Sequence, residues 1–329
     1  MQTFEYEKPA SVDQAIVHAE RSRLIAGGTT LVDLMKLQVE RPAALVDINL
    51  LPLDTIEKLP TGGLRIGALV RNSDLAWNED VKRNYAVLSQ ALLSGASPQL
   101  RNMATTGGNL MQRTRCMYFR EPGAGTPGGY ACNKRTPGSG CAAMDGFNRI
   151  HAVLGASEHC IATHPSDMCV AMAALEAVIH VEGPKGKRTI AFEDFHRLPG
   201  DTPQIETALE PGELITHVDL PRPIAGARSV YLKLRDRASY EFALASAAVV
   251  AQVEGGHIRH VRVALGGVGT KPWRSHEAEA ALLGRPVAVE HFRKAAEAAL
   301  ADAKPRKDNA FKVELAKRCL VRTLTLAMA

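Results

Sequence analysis

Four cysteines, Cys116, Cys132, Cys141 and Cys160, are strung along one Gly/Pro/Arg-rich stretch directly behind the glycine turn Ala104-Thr105-Thr106-Gly107-Gly108-Asn109. Thiolates bind soft metals and iron–sulfur cores, and glycine turns rich in hydroxyls bind phosphates. A soft-metal site beside such a turn suggests an electron carrier with two cofactors. Fifteen residues separate Cys116 from Cys132, eight separate Cys132 from Cys141, and eighteen separate Cys141 from Cys160. These gaps match neither a paired C-x-x-C zinc ribbon nor the compact ferredoxin run. Spacing alone therefore leaves four readings open: disulfides, a structural zinc, an iron–sulfur cluster, or unrelated buried cysteines. Cys169 and Cys319 fall on apolar faces of expected helices and read as core.

Residues 117–159 carry Gly123, Gly125, Gly128, Gly129, Gly138, Gly140, Pro122, Pro127 and Pro137, a density that forbids regular elements for most of the stretch. So long a loop in a compact domain needs an ordering agent other than packing, and an inorganic cross-link would supply one. Arg113, Arg115, Arg120, Lys134 and Arg135 cluster around the cysteines. Cations there are expected to lower thiolate pKa values and to offset the charge of a thiolate-bound cluster.

A second glycine turn, Ala26-Gly27-Gly28-Thr29-Thr30-Leu31, follows an expected strand. Both turns are predicted to offer unhindered backbone N–H groups and hydroxyls to a pyrophosphate. Neither is a G-x-G-x-x-G, which disfavours a Rossmann fold; two such loops in separate regions suit one long diphosphate lying between lobes.

The elements that must position these loops begin with strand Gln2–Tyr6, a helix over Ser11–Arg21 opened by a serine N-cap, and strand Ser22–Ala26. Apolar spacing predicts a helix over Thr29–Leu37 and a strand at Ala44–Ile48. A second region starts near Leu64 with strand Leu64–Ala68 and helices Ser73–Trp77 and Tyr85–Gly95. Beyond the cysteine loop come helix Pro165–Ala177, strand Ala177–Val181 with the turn Gly183–Gly186, and strand Leu214–Leu220. Pro221-Arg222-Pro223 disfavours both helix and central strand and marks a boundary. After it, Ser229–Arg235 alternates as a strand, Tyr240–Ser246 starts an apolar helix or strand, and Ala247–Val253 with Ile258–Leu265 form a hairpin about Gly255-Gly256. Helices at Glu290–Ala301 and Phe311–Leu326 close the chain on that sheet. The fold class is α+β, a succession of small units.

With 329 residues, 46% hydrophobic and 23% charged, the composition fits a soluble globular protein of about two domains. No apolar run reaches the roughly 18 residues of a membrane helix. The N-terminus lacks a basic region followed by an apolar one, so the chain is expected to carry no export signal of its own. A net charge of +5, with bases interspersed among acids, argues against nucleic acid as a partner.

Four segments, taken in order, resemble one family: Ile25-Ala26-Gly27-Gly28-Thr29-Thr30-Leu31; Ser97-Pro98-Gln99-Leu100-Arg101-Asn102 running into Ala104–Leu110; His164-Pro165-Ser166-Asp167; and Ala264-Leu265-Gly266-Gly267-Val268. That family is the FAD-binding medium subunits of the molybdenum hydroxylases, the xanthine dehydrogenase and aldehyde oxidoreductase group. The four-cysteine insertion resembles, more narrowly, the flavin subunit of bacterial three-subunit aldehyde oxidoreductases and of 4-hydroxybenzoyl-CoA reductase, in which this loop holds a [4Fe–4S] cluster. The stretch Glu121–Tyr130 is longer and richer in glycine than that loop, which affects its path and not its ligands.

The resemblance implies a two-lobed FAD-binding domain of the vanillyl-alcohol-oxidase/PCMH type over residues 1–221, with lobes at about 1–57 and 58–221 and a cluster-binding loop at 112–162. A C-terminal α+β domain of the CO dehydrogenase flavoprotein type, an antiparallel sheet with packed helices, would cover 224–329. It implies a diphosphate on Ala26, Gly27, Gly28, Thr29, Thr30 and Leu31 and on Thr105, Thr106, Gly107, Gly108 and Asn109. Asp167 would lie at the ribityl or ring region, with Leu214 and Lys233 bordering the flavin ring. On residues alone, Lys233 reads equally as a solvent-facing strand lysine and Asp167 as a first-turn helix carboxylate. The cluster ligands would be Cys116, Cys132, Cys141 and Cys160, with Cys169 the one substitute for Cys160.

By the same resemblance, substrate is hydroxylated at the molybdenum cofactor of a molybdopterin-binding large subunit. Electrons pass through a small subunit with [2Fe–2S] clusters to FAD here, and on to an external electron acceptor. Assembly is expected in the cytoplasm, with a periplasmic destination if a partner carries a twin-arginine signal. A free-standing flavoenzyme of the vanillyl-alcohol-oxidase type and a zinc-stabilised scaffold without flavin are the competing classes.

Overall fold

Three short strands, β1 (Glu5–Glu7), β2 (Arg23–Ile25) and β3 (Ala44–Asp47), pair in the parallel order β1-β3-β2. Parallel neighbours need a crossover, and helices Val12–Ala19 and Leu31–Lys36 supply the two. Ser11 opens the first helix as expected, its hydroxyl accepting the Gln14 amide at 3.2 Å. Ala15 and Ile16 of that helix bury against Val46, Ile48 and Leu51. The structure is a computed structural model and describes residues 2–123 and 129–329.

The second sheet joins β4 (Ile56–Lys58), β5 (Leu64–Gly67), β6 (Val178–Gly183), β7 (Gly186–Ala191) and β8 (Leu214–Leu220) in the order β4-β5-β8-β6-β7, every neighbour antiparallel. Its apolar side and helices Ala86–Ser94 and Asp167–Ala174 form the main core, which includes Cys169. The sequence reading misses β4 and β7 for one reason. Both are edge strands whose exposed charges, Glu57 and Lys58 in one and Lys187 and Arg188 in the other, interrupt the alternation that reveals a strand.

The third sheet is an antiparallel meander of β9 (Arg228–Leu234), β10 (Ala245–Glu254), β11 (His257–Gly266) and β12 (Trp273–Arg274). Strand β10 explains the layering. Ala245, Ala247, Val249 and Ala251 face helices His276–Leu282, Val289–Ala299 and Phe311–Ala327, whereas Ala248 and Val250 join the main core on the other side. A strand covered on both faces by close neighbours favours small side chains, and five of its ten residues are alanine or serine on that account. Gly255 and Gly256 turn the hairpin at φ 58° and 75°, where a side chain would be strained.

Several boundaries shift. The first strand starts at Glu5, and the helix expected from Pro165 starts at Asp167, capped by the Ser166 hydroxyl. Residues Tyr240–Leu244 form a loop and not an element, with Tyr240 at φ 52°. Helices Glu79–Asn84, Pro98–Met103 and His276–Leu282 were not anticipated. The cysteine loop contains one described helix, Met117–Arg120, and a two-residue bridge between Cys132 and Cys141. The glycine-rich expanse within Glu121–Tyr130 falls mainly on residues 124–128, outside the described residues.

Candidate functional site: a two-walled cleft and a buried cysteine quartet

The first glycine loop leaves the end of β2 and enters helix Leu31–Lys36. Asn49 fixes its start by donating Nδ2–H to the Ala26 carbonyl at 2.9 Å, and Arg71 braces Asn49 through Oδ1 at 3.3 Å. Gly28 sits at φ 70°. The amides of Gly27, Gly28, Thr29, Thr30 and Leu31 donate to no acceptor among the described residues. Five amides left free on one turn, facing a cleft, fit an anionic group such as a diphosphate.

The second glycine segment corrects the sequence reading. Thr105-Thr106-Gly107-Gly108-Asn109 is not an open turn; it starts helix Thr106–Leu110, with Thr105 as its cap. The Thr106 and Gly107 amides bond the Val70 and Ala68 carbonyls at 2.9 and 2.8 Å, the Gly108 amide bonds the Thr105 hydroxyl at 3.2 Å, and the Asn109 amide bonds the Thr105 carbonyl at 2.8 Å. Thr106 also spends its hydroxyl on Val70 and is fully buried. The segment therefore offers a close wall and not a cradle of free N–H groups.

Between the two loops runs a cleft of about 680 Å³. Ala26, Gly27, Gly28, Thr29, Thr30, Leu31, Thr105, Gly107, Gly108, Asn109, Asp167, Leu214 and Lys233 all line it; Thr106 does not. Lys233 is no solvent-facing lysine, because its side chain is 3% exposed and its Nζ lies 2.7 Å from Asp167 Oδ2 and 3.2 Å from the Ser94 carbonyl. Tyr231 donates its hydroxyl to Asp167 Oδ1. Burial and the neighbouring Asp167 push the tyrosine well above its ordinary pKa, so it remains a donor. Sequence reasoning missed Tyr231. The signal was there: two residues from Lys233 on β9, it must point to the same face.

The four cysteines converge. Cys116, Cys132 and Cys160 are buried in one cluster with Leu34, Tyr118, Phe119 and Ile161, and Cys141 packs against it. All six cysteines of the chain are free. Leu34 belongs also to the wall of the cleft, so the two sites are neighbours. Residues of the loop hold its path: Arg135 caps the carbonyls of Tyr118 and Phe119, and Asn133 bonds the His159 carbonyl and the Gly140 amide. His151, fully buried, brings Nε2 to 3.1 Å from Cys116 Sγ.

The expectation that nearby cations depress the thiol pKa values is overturned. Burial pushes Cys116 up to about 12 and Cys160 up to about 11, and raises Cys141. The cations are committed elsewhere: Arg113 to Glu40 and Glu206, Arg115 and Arg120 to Asp33, and Arg135 to backbone carbonyls. Lys134 does act on Cys160, but burial outweighs it. Cys116, Cys141 and Cys160 are thus protonated when metal-free, and loading a metal must expel those protons.

Two other groupings of ligand-type side chains bring three donor atoms within 4.8 Å of one another: His164/Cys169/His196 and His180/His217/Asp219. In the first, the Ser166 amide occupies Nδ1 of His164, which places that ring's proton on Nε2. In the second, Arg65 takes both oxygens of Asp219, at 2.9 and 2.8 Å. Neither is a ready metal site. His196 has a different consequence. Its Nε2 donates to the Leu110 carbonyl at 3.0 Å, and burial lowers its pKa to about 4. The unfolded chain takes up a proton near pH 6.5 that the folded chain refuses until about pH 4. Stability from this group is complete above pH 6.5 and is lost as pH falls, by about 2 kcal/mol at pH 5. Unfolding of the His196→Gln variant, measured between pH 7 and 5, is expected to show a correspondingly shallower loss than the parent; an identical slope would exclude a neutral, buried His196.

Residues 2–223 match the family described as the FAD binding domain in molybdopterin dehydrogenase, and residues 230–327 match the CO dehydrogenase flavoprotein C-terminal domain. The chain belongs to the FAD-binding medium subunits of the molybdenum hydroxylases. This medium subunit is 54% identical, over 100% of its own length and 99% of the relative's, to the aldehyde oxidoreductase FAD-binding subunit PaoB of Escherichia coli (strain K12). It is 28% identical to the carbon monoxide dehydrogenase medium chain of Hydrogenophaga pseudoflava, over 99% and 97% of the two chains. A structure of carbon monoxide dehydrogenase from the same organism, lacking the Mo-pyranopterin moiety of the molybdenum cofactor, superposes with a TM-score of 0.77 at 29% identity, covering 99% of this chain and 97% of that one. FAD is accordingly the cofactor of this medium subunit. No helix among the described residues is long and apolar enough to cross a membrane.

Proposed function

We propose that this medium subunit holds FAD in the cleft and a [4Fe–4S] cluster on Cys116, Cys132, Cys141 and Cys160, as the electron-transferring part of a molybdenum-containing aldehyde oxidoreductase. Its partners are a molybdopterin-binding large subunit and a [2Fe–2S] small subunit, and an external acceptor takes the electrons. The observation that carries this reading is the convergence of four free thiols, three of them buried and Cys141 partly so, beside a cleft whose glycine loop presents five unpaired amides. The 54% identity to a subunit named for aldehyde oxidoreduction supports the substrate class.

FAD, when bound, supplies reversible one- and two-electron chemistry, and an iron–sulfur cluster supplies one-electron chemistry. The chain does the rest. Amides of Gly27 to Leu31 neutralise the diphosphate; Thr105, Gly107, Gly108 and Asn109 wall it in; Thr106 supports that wall from behind. Lys233, oriented by Asp167 and Ser94, brings a cation toward the ring region, and Tyr231 holds Asp167 from the far side. Leu214 closes the cleft with apolar surface. In this assignment residues 1–221 form the FAD-binding domain and 224–329 the C-terminal domain.

A cluster is favoured over mononuclear zinc by the resemblance of the four-cysteine insertion to that of flavin subunits whose loop holds a [4Fe–4S] cluster. Anaerobic purification followed by flavin, iron, zinc and acid-labile sulfide analysis tests both halves. Flavin with iron and sulfide in the ratio of a [4Fe–4S] centre is the expected result; zinc without iron removes the cluster, and absence of flavin removes the assignment of the cleft.

A further inference from the structure

His151 reaches the cysteine quartet from outside the four ligands, and the way its ring is held is informative. Its backbone is clamped on both sides. The His151 amide bonds the Asn148 carbonyl at 3.0 Å, and the His151 carbonyl accepts from Lys312 Nζ at 2.9 Å and from Asn309 Nδ2 at 3.3 Å. Lys312 and Asn309 are both fully buried, and Lys312 also bonds the Ile150 carbonyl at 3.1 Å. Asn148, one turn earlier, donates Nδ2–H to the carbonyls of Ala143 and Gly146, beside Cys141. Tyr118 flanks the ring, its centroid 6.1 Å away. These contacts fix the His151 backbone, and with it the point from which the imidazole reaches the sulfur.

Once Cys116 is deprotonated as a ligand, hydrogen-bond accounting fixes the proton. Nδ1 is buried and has no partner among the described residues, while Nε2 lies 3.1 Å from Cys116 Sγ. A proton on Nδ1 would leave a buried donor unsatisfied and turn a nitrogen lone pair toward a thiolate. A proton on Nε2 leaves Nδ1 as an unpaired acceptor but turns a donor to the ligand thiolate in a charge-assisted N–H···S bond, and that gain decides the tautomer.

We propose that His151 donates its Nε2 proton to the ligand sulfur of Cys116 and thereby raises the reduction potential of the cluster held there, with Lys312 and Asn309 as the residues that keep it in place. This rests on the cluster reading given above. A donor to a ligand sulfur withdraws charge from the thiolate and so favours the reduced, more negative state of the core.

The test uses the intact complex. In the reduced parent protein, pulsed EPR with and without 15N-histidine labelling is expected to detect one weakly coupled histidine nitrogen. In a potentiometric titration, the His151→Leu variant is expected to need a lower potential for half-reduction. At fixed solution potential the reduced-to-oxidised ratio should fall about tenfold, equivalent to about 59 mV for a one-electron couple. His151→Gln, which keeps a side-chain N–H, should recover part of the shift. Unchanged potentials in both variants overturn the proposal; so does a parent spectrum with no histidine coupling, or with the strong coupling of an iron-bound nitrogen. If His151→Leu loses its iron, the parent spectrum and the glutamine variant decide. Iron and sulfide analysis of the parent separates the two failures: no iron sinks the cluster itself, whereas iron without nitrogen coupling sinks only the role of His151.

Discussion

Replacement of Gly27 by alanine is expected to strip this subunit of its flavin. A Cβ built on Gly27 would stand 1.9 Å from the Met103 carbonyl oxygen, 2.7 Å from its carbon and 3.1 Å from the Ala104 Cα, all backbone atoms. That backbone cannot step aside. The Ala104 amide is tied to Leu100 at 2.8 Å, its carbonyl accepts the Asn72 amide at 2.8 Å, and one residue on begins the wall of the cleft. The added methyl therefore drives the two glycine segments apart at the place where they touch. Overpacking of this kind costs about 1–3 kcal/mol, and taken from cofactor affinity that is about a tenfold to hundredfold rise in Kd. Flavin absorbance per chain and FAD titration of the stripped protein measure it. Gly28→Ala is the milder comparison, since its Cβ meets only the Val32 and Ile25 side chains, at 3.2 Å and beyond, and its cost is the left-handed φ of 70°. Parent-like flavin content in Gly27→Ala would refute the assignment of this loop.

Serine at any one of Cys116, Cys132, Cys141 or Cys160 is expected to lower iron and sulfide content roughly tenfold, because three remaining thiolates cannot close the site and binding is coupled to ordering of the loop. The same change at Cys169 or Cys319 should leave iron untouched, since each lies in a different core from the quartet. The loss should carry a second signature. The quartet, Phe119 and Ile161 belong to the small core of a loop whose described residues carry one short helix, so the iron-poor variants should also be cleaved more readily within residues 112–162. Iron retained in Cys160→Ser but lost in Cys169→Ser would move the fourth ligand from Cys160 to Cys169.

How much of this was legible in the sequence depended on whether the signal was local. Ser11, the Gly255-Gly256 hairpin and the strand Leu214–Leu220 were readable because capping, turn chemistry and alternation act within a few residues. The charged edge strands β4 and β7 were not, since the property that protects an edge also hides its period. At the site, residue types located both glycine segments but could not tell that one keeps its amides free while the other spends two of them on Ala68 and Val70, which lie 39 and 36 residues upstream of their partners. On residues alone Lys233 read equally as a surface lysine and as a group at the site, and Asp167, 66 residues away, is what holds it inward. The arginines around the cysteines looked like counter-charges for thiolates, and only the fold reveals Asp33, Glu40 and Glu206 as their partners. His151 gave no signal at all, its one informative contact being with a sulfur 35 residues away.

The clasp on His151 comes from the far end of the chain, where Asp308, Asn309 and Lys312 fasten Asn148, Ile150 and His151. On a ribosome, Cys160 is made well before them. Synthesis at roughly 5–20 residues per second leaves on the order of ten to thirty seconds between the last ligand and the final fastening residue. On the cluster reading proposed above, the nascent polypeptide would present its thiols in that interval with the door unlatched, a timed opportunity for iron delivery that the finished protein would withdraw.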